Sequence, residues 1–311
     1  MAEYRSIREK YTLLEICRQP ELATEVTLQP VNRLNVDAAI LFSDLLLPFE
    51  PMGIPFSFIK GEGPSIEQPI RSLKDVNRLQ VFEPREALGH VLETIDLVQK
   101  ELNGRVPLIG FAGAPFTLAS YAIEGGPSRN YGKTKALMYS EPKTWHKLCE
   151  IFSRTISDYL LAQIHSGVQA VQLFDSWVGS LSTTDYQEFA LPHTKLIFDS
   201  LKNTGVPLIH FGTGTATLLK SMTEAGGDVI GVDWRTPLDS AWQQIGYDKA
   251  IQGNLDPTLL LGPIELMLTR AKKILNQTGG RPGHIFNLGH GILPETSVEH
   301  VQALTDFIHA Q

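Results

Sequence analysis

Asp44, Ser176 and His290 each close a short apolar run, and small or polar residues surround them. A carboxylate at the end of Asp37-Ala-Ala-Ile-Leu-Phe42 is costly to bury without a partner or a task. Asp44 is therefore a candidate functional carboxylate; the alternative is that it caps the next helix or pairs with a nearby arginine. Ser176, in Leu173-Phe-Asp-Ser-Trp177, lacks the Gly-x-Ser-x-Gly elbow, base and orienting acid of a serine nucleophile. Its hydroxyl suits a hydrogen bond to a ligand carboxylate, or else a helix N-cap. His290, in Asn287-Leu-Gly-His-Gly-Ile292, has a glycine on each side, which leaves its imidazole free to face a cleft. Tyr121 falls about two turns into a helix that Pro115 starts, with its hydroxyl able to reach back over a strand end. The glycines of Gly110-Phe-Ala-Gly-Ala-Pro115 read as a tight turn off that strand. They lack both the GxGxxG spacing and the Gly-Lys-Ser/Thr ending of a nucleotide cradle. His210, inside Pro207-Leu-Ile-His-Phe-Gly212, reads as a satisfied core histidine.

Such residues need a scaffold that gathers strand ends. Apolar runs at 38–43, 106–111, 168–174, 206–211, 228–232, 250–252 and 284–288 read as strands. Amphipathic stretches at 4–18, 21–34, 145–166, 185–204, 215–225 and 263–278 read as helices. A Pro/Gly-rich excursion runs from Pro48 to Pro69, longer than a compact domain normally carries without a functional reason. Alternating strands and helices mean a parallel sheet, either doubly wound or closed as a barrel. Every strand ends in a small or polar set, such as Ser43-Asp44, Asp175-Ser176, Asp233-Trp234 and Gly289-His290. A doubly wound sheet concentrates its site at one switch point, whereas a barrel collects it from all the strand ends. The pattern predicts a (β/α)8 TIM barrel formed by residues 1–311 as a single domain, with one strand unaccounted for.

With 42% hydrophobic and 20% charged residues the chain can bury a sizeable core. No apolar run approaches the roughly 18–20 residues needed to span a bilayer, and the first residues are too charged for a signal peptide. The expectation is a soluble, cytoplasmic protein. A formal net charge of −7 with no basic stripe argues against nucleic-acid binding. A few cations gathered in one cleft can still bind an anionic small molecule. Cys17 and Cys149 have neither disulfide-framework nor zinc-ligand spacing and read as buried thiols.

Taken together, Thr27-Leu-Gln-Pro30, Ile40-Leu-Phe-Ser-Asp44, Gly110 to Gly126, Leu173-Phe-Asp-Ser176, Gln252-Gly-Asn-Leu-Asp-Pro257 and Asn287-Leu-Gly-His-Gly-Ile292 resemble the uroporphyrinogen decarboxylase family. The resemblance implies a barrel enzyme without cofactor or metal, usually a homodimer, that removes the four acetate carboxylates of uroporphyrinogen to give coproporphyrinogen. It implies that Asp44 faces the pyrrole NH groups and that Tyr121, Ser176 and His290 contact substrate, between apolar walls that include Phe42, Phe111, Phe116 and Phe174. The family's N-terminal arginine-rich segment, which supplies the first barrel strand, is matched only at its end by Met1-Ala-Glu-Tyr-Arg5-Ser-Ile-Arg8. Arg8 corresponds to a family position near the cleft. The expectation is that Met1 is internal to a longer protein, or else that the short form is incomplete and turns over poorly. Competing readings are a non-catalytic tetrapyrrole binder and a corrinoid-type methyltransferase of the same superfamily. The second needs a His-x-Cys zinc pair, where this chain has His210-Phe-Gly212.

Overall fold

The computed structural model describes residues 1–59, 61 and 63–311. Its strands are β1 (Ala39–Ile40), β2 (Phe56–Ile59), β3 (Gly63–Ile66), β4 (Leu108–Gly113), β5 (Ala170–Asp175), β6 (Leu208–Gly212), β7 (Val229–Gly231), β8 (Ala250–Leu255) and β9 (His284–Leu288). β1 and β4 to β9 form one parallel sheet in which each strand lies beside its neighbour in the chain. A doubly wound sheet reverses order at a switch point; this one never does. β2 and β3 form an antiparallel hairpin inside the Pro/Gly-rich excursion.

The sheet is rolled. The Gln252 amide on β8 donates to the Gln172 side chain on β5 at 3.2 Å, although those strands lie three places apart, about 14 Å in a flat sheet. Register places Ile40 with Ile109, Phe111 with Gln172, Phe174 with Phe211 and Gln252 with Ile285 on the inward face. Phe111, Phe174 and Phe211 meet edge to face, with centroids 5.5 and 5.7 Å apart. β1 and β9 are the two edge strands. Inward-facing Ile40 and Ile285 on them are 46% and 42% exposed, so the barrel interior is open along that seam. Seven strands of an eight-stranded barrel are present among the described residues, and the eighth position falls between β1 and β9.

Helices cover the outer face. The longest, Pro142–His165, starts with proline at its first position and buries Trp145, Phe152, Ile156 and Tyr159. The Trp145 indole donates to the Phe189 carbonyl at 2.9 Å, tying this helix to the next layer. Two predicted helices are divided. The stretch 4–18 breaks into Ala2–Arg8 and Leu13–Cys17, because Thr12 and Glu15 form a reciprocal capping box that starts a new helix. The stretch 185–204 carries a π-helical turn, Tyr186–Ala190, before Leu191–Leu201, as expected where Pro192 removes a donor and its ring crowds the preceding turn. The first strand's ladder is shorter than predicted, ending at Ile40, although Leu41 still donates to the Ile109 carbonyl at 3.0 Å. Among the described residues, no helix is long and apolar enough to cross a membrane.

Candidate active site

The site begins with β4 and the helix it feeds. Gly110 lies inside β4 rather than in a turn. A Cβ there would fall 2.4 Å from Gln163 Oε1, and the Gln163 amide uses the space to bond the Phe111 N–H and carbonyl, both at 2.9 Å. That glycine serves close approach of a helix side chain, correcting the expectation of a tight turn. β4 ends at Gly113, and Pro115 opens the helix Pro115–Glu124. Thr117 ties this helix to β5 by donating to Asp175 Oδ1 at 3.0 Å. Its Tyr121 ring lies on Trp177, with centroids 3.8 Å apart.

Asp44 is half-buried, and its Oδ1 accepts the Leu46 N–H at 2.8 Å. The capping alternative thus holds for one oxygen; among the described residues no arginine forms an ion pair with it. Burial pushes its carboxyl above the usual aspartate range, and the Leu46 N–H works against that shift. Tyr121 is raised as well, by burial first and then by the Asp44 charge, so the two side chains share one electrostatic environment.

Ser176 and His290 meet in a cavity of about 490 Å³ whose lining also includes Tyr131, Trp177, Thr213, Trp234 and Arg235 but neither Asp44 nor Tyr121. Trp177 links Tyr121 to this cavity, with Tyr121 on one side and Tyr131, at 5.2 Å between centroids, on the other. The Ser176 carbonyl accepts from the Thr213 hydroxyl at 2.5 Å, which fixes the turn after β5. His290 is exposed, and its Nδ1 accepts the Gly291 N–H at 2.6 Å, so the neutral ring carries its proton on Nε2. Gly289 explains why this loop sits where it does. A Cβ at 289 would lie 2.5 Å from the Trp234 backbone nitrogen and 3.1 Å from Asp233 atoms. Gly289→Ala is expected to force apart the loops after β7 and β9, at about 1–3 kcal/mol, and to lower activity with it. Thermal unfolding alongside turnover checks this; an unchanged melting temperature would show that the loops yield freely.

Arg8 stands apart from that cavity. Its guanidinium donates to the Tyr11 carbonyl at 2.8 Å in an exposed position. Its charge acts on Tyr4 and on Cys17, and Cys17 also feels Asp44, which puts Arg8 on the Asp44 side of the molecule. Phe111 and Phe174 are partly buried on the inward face, as expected of cleft walls, whereas Phe42 lies beyond the end of β1 and packs against Tyr4, with ring centroids 5.8 Å apart. Phe116 is not a wall: it is fully buried against Trp145 and Tyr131. His210 is a core histidine, held neutral by burial with its pKa pushed down to about 4. Its ring faces the backbones of Met222 and Gly226, which oppose that shift, although neither ring nitrogen makes a hydrogen bond of good geometry among the described residues. Both cysteines are buried thiols, with Cys17 pushed up to about 12 by burial. Among the described residues no three His, Cys, Asp or Glu side chains group as metal ligands.

The residues alone gave no role to Tyr131, Trp177 or Arg235, and placed Trp234 only as part of the strand-end set Asp233-Trp234. Trp177 and Arg235 directly follow strand-end sets, and that position was their available signal. Tyr131 precedes the helix Gly132–Ser140 with a left-handed backbone at φ 51°, and nothing local announces it.

A rolled parallel sheet with polar side chains converging beyond its C-terminal strand ends defines an enzyme of the TIM-barrel class. The uroporphyrinogen decarboxylase (URO-D) family profile matches residues 1–311. The uroporphyrinogen decarboxylase of Sorangium cellulosum is 60% identical over 100% of this chain and 88% of its own length. That of Carboxydothermus hydrogenoformans is 56% identical over 99% and 88%. The chain belongs to the uroporphyrinogen decarboxylase family, whose members are carboxy-lyases. Among solved structures, a methyltransferase from Methanosarcina mazei superposes with a TM-score of 0.81 at 21% identity, covering 95% of this chain and 87% of that one. That likeness is one of fold.

Proposed function

We propose that this chain, as one catalytic domain, removes the acetate carboxylates of uroporphyrinogen to yield coproporphyrinogen in porphyrin biosynthesis. The observation that carries the reading is a continuous run of side chains: Asp44 beside Tyr121, Tyr121 on Trp177, and Trp177 in the lining of the cavity of Ser176 and His290. Loss of carbon dioxide from an acetate arm needs an electron sink. The pyrrole becomes one when a proton adds to the ring carbon next to the one bearing the arm. The arm's C–C bond then breaks and carbon dioxide leaves. The electron pair forms an exocyclic double bond and neutralises the ring cation. Protonation of the new methylene and loss of the ring proton give a methyl group and restore the pyrrole. Asp44, ionised, accepts from the pyrrole NH groups and stabilises the cation where charge develops. These donors take the place of water around its carboxylate and oppose the upward shift that burial causes. Tyr121, Ser176 and His290 hold substrate carboxylates, and Arg8 adds a cation on the Asp44 side. No cofactor takes part in this scheme.

The same reading places a further strand in the seam between β1 and β9, where it would cover Ile40 and Ile285, and makes the enzyme a cytoplasmic homodimer. The test is incubation with uroporphyrinogen, followed by oxidation and chromatography of the porphyrins, on this chain and on one lengthened upstream by the arginine-bearing segment. Progressive appearance of porphyrins with fewer carboxylates is expected, faster in the longer chain. Unchanged uroporphyrinogen in both would overturn the reading.

A further inference from the structure

We propose that Arg235 is a further carboxylate-binding residue, holding one side-chain carboxylate of the tetrapyrrole from beside Trp234. The inference rests on the reading that the cleft takes uroporphyrinogen. Arg235 lines the same cavity as Ser176 and His290, and among the described residues it is the only Lys or Arg that does so. Uroporphyrinogen carries eight carboxylates, and a chain of net charge −7 must place its cations locally to hold them.

The guanidinium is held ready before any ligand arrives. Its central carbon lies 4.1 Å from the centroid of the Trp234 ring, a cation–π shelf that fixes the plane. One Nη donates to Asp233 Oδ2. Asp233 does not use up the cation. Its carboxylate is buried and already accepts two backbone donors, Gly214 N–H at 2.8 Å and Arg235 N–H at 3.1 Å. Its bond to the guanidinium anchors one of five N–H donors and leaves the rest of the fork to a carboxylate, whose two oxygens match it. The Arg235 side chain is 54% exposed, so that outer edge is accessible.

The loop that carries Arg235 is fixed from both sides. Asn254 at the end of β8 donates from one amide to the carbonyls of Asp233 at 2.9 Å and Thr236 at 2.6 Å. Gly289 lets the His290 loop close on the Trp234 backbone. Arg235 and His290 thus lie on adjoining loops around one cavity, a cation beside an imidazole N–H. Asp233 and Trp234 place the group and Arg235 does the binding.

The test titrates uroporphyrin, the stable oxidised form, into the full chain and follows quenching of tryptophan fluorescence. Arg235→Gln is expected to weaken binding about tenfold or more, the usual scale for a lost hydrogen bond to a charged group. Arg235→Lys should fall between it and the unsubstituted chain, because a point charge replaces a fork. In turnover, KM for uroporphyrinogen should rise while kcat changes little. Melting temperatures of the two variants check folding, and if Arg235→Gln melts lower, Arg235→Lys carries the comparison. Binding by the unsubstituted chain with no weakening in either variant would overturn the role of Arg235 alone. No binding by the unsubstituted chain would overturn this inference, and the substrate reading falls with it if the lengthened chain also leaves uroporphyrinogen unchanged.

Discussion

Asp44→Asn is expected to lower kcat for uroporphyrinogen by about 10²- to 10³-fold, the scale on which removal of one preorganised electrostatic partner acts. The substitution keeps the size of the side chain and an oxygen for the Leu46 N–H, now 2.8 Å from Oδ1, so the turn after β1 should survive. What it removes is the negative charge. Uroporphyrin affinity should therefore change far less than kcat, because the pyrrole NH groups can still donate to an amide oxygen. A pH profile separates this role from a structural one. Burial raises the Asp44 pKa, and the group is needed in its ionised form. The acid limb of kcat/KM should therefore lie above the ordinary aspartate range and disappear in the asparagine variant. Full turnover by Asp44→Asn in the form of the protein that turns over would remove Asp44 from the mechanism.

The positions of the seven barrel strands were legible because each is a short apolar run with polar residues at its end. That regularity comes from parallel strands buried on both faces. The strand ends were legible less well. Predicted and observed last residues agree at Leu288 but differ at Phe111 and Gly113, and at Gln252 and Leu255. Hydrophobicity stops where side chains turn toward the cleft, while the ladder of backbone bonds runs on. The role of Gly110 was invisible because it depends on Gln163, a residue 53 positions away in the chain. Phe116 shows the converse error. It lies in the same dense motif as Tyr121, yet sits on the face of its helix turned toward Trp145. Motif membership gives proximity in the chain, and helical phase decides which side chain reaches the cleft.

Asp175 supports the second large expected effect, on stability against pH. Its side chain is fully buried, Oδ1 accepts from Thr117, and Oδ2 has no partner among the described residues. Burial pushes its pKa up to about 7, with the Thr117 hydroxyl opposing the shift. The folded state therefore keeps a proton that the unfolded chain releases near the ordinary aspartate value of about 3.9. The stabilisation from that proton is complete below about pH 4, shrinks as pH rises, and is gone above about pH 7. At about 1.4 kcal/mol per pH unit, the span of about three units gives a loss on the order of 4 kcal/mol. His193 and His210, both pushed down to about 4 by burial, have the opposite dependence between about pH 4 and 6.5. The total profile of the protein hides all three. The difference between the unsubstituted chain and Asp175→Asn isolates one of them, since asparagine keeps the Thr117 acceptor and cannot ionise. Denaturant unfolding at half-unit intervals from pH 4 to 8 should show the variant gaining steadily on the unsubstituted chain up to about pH 7 and then holding its advantage. A difference independent of pH would mean that Asp175 titrates equally in both states. Its neighbours would then be stabilising the charge, and the tie that aims the Tyr121 helix would be ionic rather than a protonated carboxyl.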